Sequence, residues 1–191
     1  MKASISLPYP QHPFSDPDTL LDAAIVRQTM RRLDAGADLS ALTTQVMLSV
    51  ALPLQAGDKV AKLGFRSGGT AAGTPTNWWF ALYGPDGALI SQSADQTNTA
   101  WAANTVKQLA LAKTYEVPAA GVHYAAIMVK ATTPPSLVGR AVQHADVSDG
   151  LITGQLNLAQ TSGSSLTATA PATIATPAAV VNVPWAIATA S

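Results

Sequence analysis

A chain of 191 residues is long enough for one domain with appendages and for a real hydrophobic core. Lysine plus arginine and aspartate plus glutamate balance at 11 each, and only 12% of the residues are charged, so no long-range field draws in nucleic acid, anionic lipid or acidic substrates. Zero cysteines exclude disulfides and thiolate metal sites, and a surface of hydroxyls and amides makes contact between subunits cheap in desolvation.

The stretch Met1 to Pro8 lacks the continuous apolar core of a signal peptide, so secretion is not expected. The most apolar window, Ala119 to Ala131, is interrupted by Gly121, His123 and Lys130 and falls short of the roughly 18 residues a membrane helix needs. Residues 1–16 carry Pro8, Pro10 and Pro13 among Tyr9, His12 and Phe14, which predicts an extended arm.

Asp16-Pro17 has the chemistry of a helix start, with Asp18 and Asp22 near the positive end of the dipole. The expected helix runs to about Leu33. Leu20, Ala23, Val26, Met30 and Leu33 fall on one arc, and Arg27, Arg31 and Arg32 lie toward the C-terminal end. That stripe suits packing on its own domain or docking on a neighbouring subunit. Gly36 to Ser40 reads as a hinge, so residues 1–43 form an arm and helix with the character of an assembly anchor.

From Thr44 the period becomes two: Val46, Leu48, Val50 and Leu52 alternate up to Pro53. Further strands are predicted at Lys59 to Arg66, Asn77 to Tyr83, Ala88 to Ser93, Val106 to Leu111, Tyr115 to Val117 and Val122 to Lys130. Gly84-Pro85-Asp86-Gly87 joins the third and fourth as a tight hairpin turn. Short strands separated by turns define an all-β fold over 44–145, a β-sandwich of jelly-roll-like character, with the N-terminal arm and one amphipathic helix attached.

Residues 146–191 are an extension that carries no charge after Gly150. A strand is expected at Leu151 to Leu158, and Thr161 to Thr176 has the composition of a linker that takes order from a partner. Val181, Val183, Trp185 and Ile187 then alternate, with Pro184 on the opposite parity, as in an edge strand that returns to a sheet.

Catalytic chemistry has few carriers. Histidine occurs at 12, 123 and 144, and Glu116 is the only glutamate. His144-Ala145-Asp146 with Asp149-Gly150 is the best constellation, but a calcium loop needs more oxygen ligands than it offers, and a solvated turn is the expectation. His123 has no cysteine nucleophile or Gly-x-Ser-x-Gly elbow to serve, so an ordinary surface or interface role is expected. Gly68 through Gly73 has glycine spacing loosely like a phosphate loop, yet no lysine follows, and it is expected to be a flexible loop. No cofactor or metal is expected. Trp78 and Trp79 are adjacent on a strand and must point to opposite faces; burial in the sandwich or in a subunit interface is expected of these rings, and the alternative is a sugar-stacking platform with Trp101, Tyr83 and Tyr124 if one ring is exposed.

The run Gly73-Thr74-Pro75-Thr76-Asn77-Trp78-Trp79-Phe80-Ala81-Leu82-Tyr83, continuing through Gly87 to Gln96 and Thr99 to Thr105, resembles minor tail or head-decoration proteins of actinobacterial tailed phages. Gly121 to Val129 resembles the same modules. The likeness covers about residues 44–145 and carries no site residues. It implies a sandwich displayed on a virion, assembled in the host cytoplasm and built into the particle by its irregular ends. The implied partners are other copies of the chain, a trimer among the fitting symmetries, and major capsid or tail proteins; nucleic acid and membrane are not expected. The expected function is that of a non-enzymatic structural subunit, with a carbohydrate-binding module for host adhesion as the alternative.

Overall fold

The computed structural model describes residues 25–142 and 152–191. They form thirteen strands: β1 (Ile25–Gln28), β2 (Ala37–Asp38), β3 (Met47–Leu54), β4 (Lys59–Arg66), β5 (Asn77–Tyr83), β6 (Leu89–Gln92), β7 (Val106–Glu116), β8 (Gly121–Lys130), β9 (Val138–Ala141), β10 (Ala159–Ser162), β11 (Ala178–Ala179), β12 (Asn182–Pro184) and β13 (Ala186–Thr189). A four-stranded sheet has the order β1-β13-β4-β7, a six-stranded sheet β11-β10-β3-β8-β5-β6, and a small third sheet β12-β9-β2. All the strand pairings are antiparallel.

The period-two pattern decides which side chains meet between the two larger sheets. Leu48, Val50, Leu52 and Leu54 of β3, Trp78, Phe80 and Leu82 of β5, and Ala125, Ile127 and Val129 of β8 share one face of the six-stranded sheet. They pack against Leu63 and Phe65 of β4 and Ala186 and Ala188 of β13. Phe65 and Phe80 meet across the sandwich with ring centroids 4.8 Å apart. Pro53 lacks an N–H, and it falls where β3 has passed the end of β10, whose pairing covers only 47 to 50.

The helix expected over 17–33 is corrected in its described part. Ile25–Gln28 is an edge strand on β13, and Arg32–Asp34 is a single 3-10 turn closed by an Arg31–Asp34 ion pair at 2.9 Å. Ile25 and Val26 are β-branched and favour extended backbone, and an unpaired edge of β13 gives them ladder bonds that an isolated helical turn lacks. The expected hinge at 36–40 is also replaced: β2 pairs β9, and the Leu39 amide donates to the Leu137 carbonyl at 2.9 Å.

Two predicted strands, 106–111 and 115–117, prove to be one. Along β7 the register with β4 jumps from Val60↔Tyr115 to Lys62↔Ala110, so the intervening residues bulge away from β4. There Leu111 bridges Ser93, and the Lys113 amide donates to the Ser91 hydroxyl. The strand expected from Leu151 to Leu158 is not formed over its described residues, 152–158; pairing starts at Ala159, where β10 joins β3.

Candidate functional site

Both adjacent tryptophans are buried, each in its own core. Trp78 points between the sheets, stacks on Trp101 at 5.1 Å and 27°, and donates its indole N–H to the Thr99 carbonyl at 2.9 Å. Trp79 points to the outer face of the six-stranded sheet, where Tyr83, Tyr124, Met128 and Met47 join it. Trp78 and Trp79 are 0% exposed and Trp101 1%, so none of the three offers a free face to a sugar ring. The alternative of an aromatic platform therefore falls, and Trp78, Trp79, Trp101 and Tyr83 are core.

The outer face is closed by the uncharged tract. Trp79 donates its indole N–H to the Thr167 carbonyl at 2.7 Å, and Tyr83 donates its hydroxyl to the Pro171 carbonyl at 2.8 Å. Gln92 clamps the same segment from both sides, donating to the Ala168 carbonyl and accepting from the Ala170 amide. Backbone bonds from Leu89 to Ala172, from Ile174 to Gly87 and from Leu166 to Gln45 fix the rest, and Leu166, Ala170 and Ile174 fill the second core. The tract is a strap ordered by its own domain.

Among the described residues the candidate chemical groups do not gather into one site. His123 shares a face with Ala125 and Ile127 and is 1% exposed, so the expected surface position is corrected. Its ring lies 3.5 Å from the Tyr115 hydroxyl and 3.3 Å from the Gly121 carbonyl. His12, His144, Asp146, Asp149 and Leu20 lie outside the described residues. Among the described residues no group of three or more histidine, cysteine, aspartate or glutamate side chains could hold a metal ion. The Gly68-Gly69 turn, expected to be flexible, wraps its own carboxylate: the Gly69 amide donates to Asp38 at 2.9 Å, and a Cβ on Gly68 would collide with that carboxylate. The Ser136 hydroxyl and the Gly69 amide hold the Asp38 carboxyl below its ordinary range.

Among the grooves of the described residues, one of about 510 Å³ lies on the outer face of the four-stranded sheet. Ile25, Val106, Trp185 and Ile187 supply apolar lining, and Arg32 and Arg66 stand on its wall. Trp185 is held by an indole hydrogen bond to Gln28 at 3.1 Å. Gly64 makes room for the floor, since a Cβ there would approach Ile187 to 2.8 Å. Among the described residues this face has no counterpart of the strap; Val106, Gln108 and Ala110 remain exposed.

The predicted end residues divide around it. Val26 lies in β1, Met30 packs on the main core, and Leu33 is 75% exposed, so they form no single helical stripe. The C-terminal alternation also breaks. Val181 is 38% exposed, Val183 enters the main core, Trp185 separates two strands, and Ile187 lines the groove while Ala186 and Ala188 face inward. Of the two strands formed by residues 182–189, β12, with Pro184, is at a sheet edge, whereas β13 lies inside its sheet between β1 and β4. The groove escaped notice in the sequence because its lining comes from strands far apart in the chain and from side chains of mixed polarity. No protein-family model and no curated protein matches the chain.

Proposed function

We propose that the chain is a non-enzymatic structural subunit of a bacteriophage virion, an exterior capsid-decoration or minor tail protein held to the particle by its N-terminal arm. The observation that carries this reading is an asymmetry of the sandwich. Among the described residues the strap covers much of the outer face of the six-stranded sheet, whereas the four-stranded sheet carries an apolar groove with Ile25 at its rim. A subunit with one face covered more fully than the other suits a lattice position. The resemblance of residues 44–145 to phage tail and decoration modules supplies the kind of assembly. The carbohydrate-binding alternative loses its support with the burial of the three tryptophans.

The anchoring role is tested by deleting residues 1–24 and measuring incorporation into purified particles. The cut stops short of 25–43 because β1 and β2 belong to the sheets. The shortened chain should fold, with an unchanged circular dichroism spectrum, and be lost from particles. Incorporation at the wild-type level would contradict the anchor.

A further inference from the structure

We infer that the groove on the four-stranded sheet receives the proline-rich segment Pro8–Phe14 of a second copy of this chain. The inference rests on the assembly role proposed above and names the partner and the segment. Three observations lead to it.

The first is the chemistry of the lining. A segment with prolines at 8, 10 and 13 favours the polyproline II form, which has no internal hydrogen bonds and needs donors for its carbonyls. Grooves that take such segments pair an aromatic floor with polar donors on the wall. Trp185 and Ile187, 7% and 4% exposed, lie at the bottom of the groove, Val106 is its exposed apolar edge, and Arg66 and Gln108 provide donors. Tyr9 and Phe14 supply the apolar rings that a groove edged by Val106, 42% exposed, would cover.

Charge is the second. Residues 1–24 hold Asp16, Asp18 and Asp22 against Lys2 alone, while two of the groove's lining residues are Arg32 and Arg66. Opposite signs on the two surfaces favour the encounter and fix its direction.

The third is where the chain enters and how far it reaches. Ile25 lines the groove, so residues 1–24 join the described fold at its edge. Ser15 to Ala24 can span at most about 35 Å when extended, which reaches a copy packed alongside. Exchange of arms between identical grooves also closes a ring or dimer without a second kind of interface.

The test uses the full chain, which has no native cysteine. Gln11→Cys and Val106→Cys chains are prepared separately, mixed and oxidised. Gln11→Cys mixed with Ala112→Cys, an exposed position further along β7, is the reference. Disulfide-linked pairs from the first mixture should exceed the reference by about tenfold or more, because docking raises the effective concentration of the two thiols. Equal yields overturn the inference. A third chain carrying both Gln11→Cys and Val106→Cys is oxidised alone; a link that forms there only at monomer mass also overturns it, by placing the arm on its own groove. If equal yields accompany an oligomer that light scattering shows intact, the arm–groove pairing alone falls. Absence of the chain from purified particles removes the virion reading instead, whatever the cross-link yields.

Discussion

Tyr83 carries more of the fold than its place in a hairpin suggests. Its ring lies under the strap, and its hydroxyl donates to the Pro171 carbonyl at 2.8 Å. Burial pushes the phenol well above its ordinary value of 10.0, and Tyr124 is raised for the same reason. A group whose folded pKa is raised contributes stability that is complete below its unfolded pKa and is lost as pH climbs past it. The thermal midpoint should therefore fall from about pH 10 upward. Tyr83→Phe should cost about 1 kcal/mol at neutral pH and flatten part of the alkaline decline, leaving the share due to Tyr124. Identical pH profiles for the two proteins would contradict this account. Gly139 makes a sharper demand, since a Cβ there would collide with the Val183 carbonyl and stand 2.7 Å from the Pro184 Cα. Both are backbone atoms in the β9–β12 ladder and cannot turn aside. Gly139→Ala should lower the unfolding free energy by about 3 kcal/mol, measured in urea; a loss below about 1 kcal/mol would mean the ladder yields.

At the scale of elements, strands were legible wherever large apolar residues alternate and the chain turns sharply. Lys59–Arg66 and Asn77–Tyr83 have the predicted bounds, because the hydrophobic period and the flanking turns agree there. Ile25–Gln28 was not legible: its residues fit a helical arc as well as a strand, and only the free edge of β13, about 160 residues away in sequence, decides between them. The C-terminal return was legible in outline, but alanine gave no signal. Ala186 and Ala188 face the core while the larger Ile187 faces outward, opposite to what size alone implies. The strap was the least legible, since serine, threonine and alanine look like linker until Trp79, Tyr83 and Gln92 present donors to their carbonyls. Native-state hydrogen exchange checks it. The amides of Leu166, Ala170 and Ile174, bonded to Gln45, Gln92 and Gly87, should exchange as slowly as those of β5 and β8. Exchange at unprotected rates would show that the strap opens independently of the sheet.

Among the described residues the sandwich is covered more fully on one side than on the other. The strap closes the six-stranded sheet, and the four-stranded sheet offers a groove beside which the N-terminal segment enters the fold. The low charge visible in the composition now has a place, because a surface with few charges to desolvate costs little to cover with another copy. The candidate chemistry was not legible as a site. The aromatic cluster that invited a glycan reading is core, and the surface that remains open is assembled from β1, β4, β7 and β13 with the Arg32 turn. The central claim, that the chain is a built-in part of a virion, is tested most directly by quantitative mass spectrometry of density-purified particles washed in high salt. A fixed copy number relative to the major capsid protein, unchanged by the wash, is the predicted result. A chain that is absent, or whose amount varies between preparations and falls with washing, would contradict it.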